Sequence, residues 1–286
     1  MGEVNANGLN RYIPVSVRKK IRKAAGFGCV VCGTAICQFD HVSPGFSEAY
    51  SHNPSRMTLL CGYCHDKKTR GILSVEFIQQ AMKDPKSLQK GFISDFFDFG
   101  TVIPIVSLGK QKFVNTNYLI QIDGQHLLYI SQKSENGVTG NFLNARFHDT
   151  QNREIFRIEE NVWFSSTDNW DINFSGTVLE IRDQEGSVAL KIENKPREEF
   201  IVHEVKMNYN GYQIQGDEER FSIQTPEGKE IIALSDEVLA SGFAALKISK
   251  GTLILRNMSF HKGEIDLRNA GAEYCYFGKE TKIIMG

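Results

Sequence analysis

The 286-residue sequence has no apolar run near the ~20 residues that a membrane-spanning helix needs. Its first residues, MGEVNANGLNRYIPVSVRKK, also lack the apolar stretch and the small-residue cleavage site of a secretory leader. These two absences predict a cytoplasmic protein with no membrane partner. The composition, with 41% hydrophobic and 23% charged residues, is that of a globular chain long enough for two domains.

Cysteine is scarce and unevenly placed. Five of the six cysteines lie near the front of the chain, and only Cys275 lies outside that stretch; the five are Cys29, Cys32, Cys37, Cys61 and Cys64. In a chain without a leader, such clustering favours a metal over disulfides. Four of these cysteines form two C-x2-C knuckles, 29–32 and 61–64, which predict a structural zinc site of four thiolates. Cys37 has no partner knuckle and is predicted to be a small packing residue.

Charged residues are distributed unevenly, with a basic front part and an acidic remainder. Up to Ile72 there are 10 Lys and Arg against 4 Asp and Glu, which leaves 33 − 10 = 23 against 34 − 4 = 30 for the remainder. A basic front part favours a polyanionic partner, whose phosphates it would neutralise. A solvated helix face explains the basic run at 18–23 nearly as well.

The front part is predicted to contain helices and one short strand. Residues 16–25 have apolar positions at helical spacing, and a β-like piece covers 39–42 before the turn at Pro44-Gly45. Residues 61–70 suit a second helix. Ser74 is a good cap for a third, from Val75 to about Lys83, which Pro85 ends.

Beyond about Phe99 the pattern changes to short alternating runs separated by turns. Residues 118–122 and 126–130, joined at Asp123-Gly124, are typical of a hairpin. Similar runs recur at 178–181, 188–192, 200–205, 221–223, 245–248 and 253–255. This spacing predicts an all-β domain built as a sandwich, a barrel or a β-solenoid. The segments 176–182 and 251–256 look alike, yet no strict period supports a repeat architecture.

The two knuckles bracket the pair Asp40-His41. A carboxylate and an imidazole that are neighbours on a strand project to opposite faces, unless the turn at Pro44 twists them, so they would do different work. His65 follows the last knuckle cysteine on the first turn of a helix. Its ring nitrogen could share a divalent cation with Asp40.

The order Cys-x2-Cys, Asp-His, Leu-Leu-Cys-x2-Cys-His-x2-Lys, over about residues 18–71, resembles the HNH (ββα-metal) endonucleases that carry a four-cysteine zinc site. The resemblance implies that Asp40 and His65 hold a catalytic Mg2+ or Mn2+ and that His41 is the general base. It implies that Cys29, Cys32, Cys61 and Cys64 bind structural Zn2+. Basic residues of the last helix would contact DNA phosphates; these are Lys67, Lys68 and Arg70.

One position departs from the family pattern. Many relatives carry Asn a few residues before the second knuckle, to brace the loop, and here Arg56 stands there. Either Asn53 braces the loop through a longer turn, or Arg56 replaces the Asn and reaches a phosphate. His52 is predicted to be a surface loop residue first and a support to the site only distantly.

The prediction is therefore an α+β chain: a zinc-stabilised HNH nuclease domain at 1–72, a helical linker at 73–98 and a larger all-β domain at 99–286. The β domain offers no comparable motif and is expected to serve oligomerisation or sensing, giving a homo-oligomer. The expected activity is DNA phosphodiester hydrolysis, in restriction or phage defence by analogy. Two alternatives stay open: an inert zinc-dependent nucleic-acid-binding module, and an assembly or regulatory protein in which the β domain is the functional part.

Overall fold

A computed structural model describes residues 4–100, 102–266, 270–273 and 275–284. Strands hold 54% of the residues and helices 14%, so the chain is mostly β. It divides into two compact units. The first contains the chain up to Asp95 together with residues 164–173, and the second contains 96–163 and the chain from Phe174 onward.

Among the residues that the structure describes, the helices belong to the first unit. They are α1 Val15–Ala24, α2 Gly62–Thr69, α3 Val75–Lys83 and α4 Lys86–Lys90, with short 3₁₀ turns at Phe46–Glu48 and Pro54–Arg56. The predicted cap is present, because the Ser74 hydroxyl accepts a hydrogen bond from the backbone N–H of Phe77. The segment predicted as a linker therefore supplies α3 and α4 to this unit. Within the described residues, no helix combines the length and apolarity that membrane crossing requires.

The strands run through the whole chain. They are β1 Gln38–His41, β2 Met57–Leu60, β3 Phe92–Phe96, β4 Ile105–Leu108, β5 Gln111–Val114, β6 Tyr118–Ile122, β7 Gln125–Glu135, β8 Val138–His148, β9 Glu154–Glu159, β10 Val162–Ser166, β11 Asp171–Ser175, β12 Val178–Gln184, β13 Ser187–Lys195, β14 Glu199–Tyr209, β15 Tyr212–Gly216, β16 Arg220–Gln224, β17 Glu230–Ser249, β18 Thr252–Asp266, β19 Ala270–Glu273 and β20 Tyr276–Ile284.

A small hydrophobic core organises the first unit around the β1–β2 hairpin. The two strands are antiparallel, with Asp40 opposite Thr58 and His41 opposite Met57. One face of α1 contributes Ile21, which is 1% exposed, as the 3.6-residue periodicity predicts. The same core includes Cys29, Cys61 and Cys64 together with Ile78 of α3. The metal-ligand candidates are thus part of the packing that positions the hairpin.

In the second unit, tight turns build the predicted hairpins. The β6–β7 turn places Asp123 and Gly124 at φ +46° and +85°, the two positive values that a type I′ turn requires. The β14–β15 turn does the same at Asn210 and Gly211, with φ +50° and +92°. The core of this unit is largely aliphatic and includes an aromatic cluster, in which Trp163 is 1% exposed and lies 5.7 Å, ring to ring, from Phe156.

Two hairpins lie end to end between the long strands β14 and β17. Strand β14 pairs with β4 in parallel and with β15 antiparallel, while β17 pairs with β5 in parallel and with β16 antiparallel. The hairpins β4–β5 and β15–β16 meet at their turns, where a Cβ on Gly109 would lie 2.0 Å from the backbone oxygen of Asp217. The pairings connect β14 to β17 through both hairpins. This arrangement favours a closed sheet over a solenoid of parallel coils.

Candidate metal centre and active site

The four predicted zinc ligands meet at one point. The Sγ atoms of Cys29, Cys32, Cys61 and Cys64 all lie within 4.8 Å of one another. Thiolates at ~2.3 Å from a tetrahedral zinc are about 3.8 Å apart. The distance from Cys32 Sγ to Cys61 Sγ is 3.7 Å, so the donor set and its spacing fit a zinc ion. The cluster supports a metal such as zinc at this position.

The thiols of this cluster influence one another electrostatically. Hydrogen bonding from Cys32 and Cys37 lowers the pKa of Cys29, while burial raises the pKa of Cys64 to about 12, and the charge on Cys29 adds to that rise. Ionisation of one thiol therefore opposes ionisation of its neighbours. A bound dication offsets this repulsion, because a thiol that coordinates a metal is deprotonated outright. The fifth cysteine, Cys37, lies beside the cluster and donates to the backbone oxygen of Thr34 at 3.1 Å.

Asp40 and His65 come together on two different elements. Asp40 is near the end of β1 and 6% exposed, and His65 directly follows Cys64 of the four-cysteine cluster on α2. His65 Nε2 lies 3.4 Å from Asp40 Oδ1. Two ligand atoms that are each ~2.1 Å from one ion lie about 3.0 to 3.4 Å apart. A carboxylate oxygen and an imidazole nitrogen at this distance fit a shared divalent cation.

Lys68 also contacts Asp40. Its Nζ lies 2.5 Å from Asp40 Oδ2 and 2.6 Å from the backbone oxygen of His41. The ammonium therefore neutralises the buried carboxylate on the side away from His65. The sequence analysis placed Lys68 among the phosphate contacts, whereas in the structure its Nζ binds the Asp40 carboxylate and the backbone oxygen of His41.

His41 contacts two rings. Its Nε2 lies 3.2 Å from Nδ1 of His52, and its ring centroid lies 5.5 Å from that of Phe46. Burial, followed by the neighbouring His52, lowers the pKa of His41 below the ordinary value of 6.5. An imidazole with a lowered pKa is neutral at physiological pH and can accept a proton.

Asn53 and Arg56, the two candidates for bracing the loop before the second knuckle, make different contacts. The Asn53 side chain accepts from the backbone N–H of Ser55 at 3.0 Å and so caps the turn that precedes β2. Arg56 is exposed, and its backbone oxygen accepts from Val42 N–H at 2.9 Å. Asn53 thus braces its own turn, and the Arg56 guanidinium is available to a ligand.

The other two predicted DNA contacts lie on α2. Lys67 Nζ lies 4.2 Å from the centre of the Tyr63 ring, and Arg70 forms an exposed ion pair with Asp66 at 3.0 Å. Exposed pairs of this kind contribute little to stability. Arg70 can therefore exchange its present partner for phosphate at small cost.

Sequence reasoning missed the support given by the N-terminal segment. The Asn5 side chain donates to the backbone oxygens of Phe46 and Ala49 at 2.6 and 2.7 Å, which fixes the loop beside His41. His52 Nε2 lies 2.8 Å from the backbone oxygen of Asn10. A polar loop followed by a His was the only sequence signal, and it does not reveal a contact between residues 42 positions apart.

Comparison with protein-family models, with characterised proteins and with solved structures gave no match. The resemblance to HNH endonucleases therefore rests on this chain's own residues and their geometry.

Proposed function

We propose that the first unit is a metal-dependent DNA endonuclease of the HNH type, which hydrolyses phosphodiester bonds with His41 as the general base. The observation that carries the proposal is the 3.4 Å approach of His65 Nε2 to Asp40 Oδ1, directly beside His41 and the four-cysteine cluster. Three separated parts of the sequence supply these groups. Their convergence matches the ligand and base positions that the motif implies.

Each residue has a chemical task in this proposal. Neutral His41 accepts a proton from water as the resulting hydroxide attacks phosphorus. Asp40 and His65 would hold a divalent cation such as Mg2+ or Mn2+, which supplies charge neutralisation for the phosphate and the leaving oxygen. The half-exposed Lys67 and the exposed Arg70 and Arg56 are suited to phosphate contacts that position the backbone.

Lys68 favours a second candidate function, a zinc-dependent nucleic-acid-binding module without catalysis. Its ammonium lies 2.5 Å from Asp40 Oδ2 and so provides positive charge where a nuclease needs a metal cation. If the ion pair persists on DNA, Asp40 is a structural carboxylate. The basic front part would then bind phosphates only, with the salt dependence expected of counterion release.

The test is incubation of the full chain with supercoiled plasmid and Mg2+ or Mn2+. We expect nicking or linearisation that EDTA abolishes. The His41→Ala variant should lose ~100- to 10,000-fold in rate, the usual contribution of a general base, and should retain its zinc. His261→Ala, an exposed histidine of the second unit, is the matched control and should cleave like the unaltered protein.

The same experiment separates the two candidates. Salt-sensitive DNA binding with no cleavage under either cation would overturn the nuclease and support the binding module. Cleavage by His41→Ala at the unaltered rate would reject His41 as the base, even if the protein cuts DNA.

A further inference from the structure

His52 and the backbone of Asn10 define the proton positions around His41. A carbonyl oxygen can only accept, so the 2.8 Å contact between His52 Nε2 and Asn10 O requires a proton on His52 Nε2. A neutral imidazole carries a single ring proton, and His52 Nδ1 is then an acceptor. The partner of this acceptor is His41 Nε2 at 3.2 Å, which must therefore donate.

We propose that His52 is a positioning residue for His41. Asn10 O orients His52, and His52 Nδ1 accepts a hydrogen bond from His41 Nε2. This contact fixes His41 in the tautomer that has its proton on Nε2 and its lone pair on Nδ1. This inference deepens the proposed function, because it names the atom of His41 that accepts the proton from water.

Contacts of the N-terminal segment support this chain of hydrogen bonds from Asn10 O through His52 to His41. Asn5 and Asn7 donate from their side chains to backbone oxygens of the loop at 46–49, with Asn7 Nδ2 3.0 Å from Glu48 O. Asn10 is fixed in turn, since its Oδ1 accepts from the backbone N–H of Tyr12 at 2.8 Å. The N-terminal segment thus orders the acceptor for His52, as a supporting shell orders a catalytic base.

The proton balance of the step is simple. Water gives one proton to His41 Nδ1 and its oxygen forms a bond to phosphorus. The bond from phosphorus to the leaving oxygen breaks, and that oxygen takes a proton from solvent water to become a hydroxyl. The resulting imidazolium keeps its Nε2 proton in the hydrogen bond to His52, so His52 neither gains nor loses a proton. His52 acts through orientation alone.

Long-range nitrogen–proton NMR on the full, zinc-loaded chain with ¹⁵N-labelled histidine tests the tautomer directly. The chain has 7 histidines, and spectra of His41→Ala and His52→Ala assign the two signals. At mildly alkaline pH we expect His41 to carry its proton on Nε2 and His52 on Nε2 also. A proton on Nδ1 of His41 would overturn the proposal.

Kinetics of two variants at position 52 test the positioning role. His52→Ala should lower kcat by up to ~100-fold, the effect of misplacing a reacting group by about 1 Å, with KM and zinc content unchanged. His52→Asn restores an acceptor near the position of Nδ1 and should recover part of the loss. Unchanged kcat in His52→Ala would overturn the role. If the unaltered protein cuts no DNA while NMR shows the expected tautomer, the nuclease proposal fails. The assigned proton positions on His41 and His52 then still hold.

Discussion

Replacing Cys61 by Ala should unfold the first unit and release its metal. A structural zinc site contributes ~10–16 kcal/mol of apparent binding free energy, so one of four thiolates accounts for roughly 2.5–4 kcal/mol. Cys61 also caps α2, since its Sγ accepts from the backbone N–H of Cys64 at 3.4 Å, and loss of a cap costs about 1 kcal/mol. The total of about 3.5–5 kcal/mol approaches the lower end of domain stability, about 5–15 kcal/mol.

The two tryptophans allow this unfolding to be observed in one unit. Trp170 belongs to the first unit, where Lys19 Nζ lies 2.9 Å from its ring centroid, and Trp163 belongs to the second. In a Trp163→Phe background, Trp170 fluorescence reports on the first unit alone. We expect Cys61→Ala to shift that emission towards the spectrum of exposed indole and to lose zinc by elemental analysis. The Cys37→Ser control should keep both properties.

A Cys61→Ala protein that retains one zinc per chain and the native Trp170 emission would refute the reasoning. The four-cysteine cluster would then be a packing feature. Release of zinc with no change in emission would show instead that the metal binds without supporting the fold.

Three further predictions concern other parts of the molecule. Arg22→Ala should lower the free energy of unfolding in urea by ~3–5 kcal/mol, because it removes the partner of the nearly buried Asp171 carboxylate, now 2.6 Å away. The double variant with Asp171→Ala should recover part of the loss. A change near zero in the single variant would contradict the estimate. Lys67→Ala should reduce the slope of log K for DNA against log salt by ~0.9, and an unchanged slope would exclude a phosphate contact there. The second unit is proposed to assemble subunits so that two sites face one duplex, and a monomeric mass in sedimentation at micromolar concentration would reject this.

Local signals in the sequence predicted much of the fold. The cap at Ser74 and the stop after Lys83 place α3 at its observed bounds, since capping depends on only a few neighbouring residues. The Asp123-Gly124 turn is confirmed for the same reason, because residues that tolerate positive φ define the turn type. The convergence of the four cysteines is likewise confirmed: C-x2-C spacing brings together the two thiols of each knuckle, and the preference of zinc for four ligands predicts that the two knuckles meet.

Contacts between distant residues could not be predicted. The parallel pairings of β14 with β4 and of β17 with β5 join strands some hundred positions apart, and no local pattern encodes that partner choice. Residues 164–173 join the first unit through contacts such as Arg22 to Asp171, 149 positions apart. The engagement of Lys68 with Asp40 belongs to the same class, since a lysine on a basic helix gives no sign of its partner.

The four-cysteine cluster and the Asp40–His65 pair depend on one junction of the chain. Strand β2 ends at Leu60, which pairs with Gln38 of the strand that carries Asp40, and the next residue is Cys61 of the four-cysteine cluster. Helix α2 then places Cys64 and His65 side by side. Anchoring the first turn of α2 to the cluster therefore fixes the distance between His65 and Asp40. The zinc site would thus be a structural precondition for the proposed catalytic cation, because loss of the cluster would release the helix turn that carries His65.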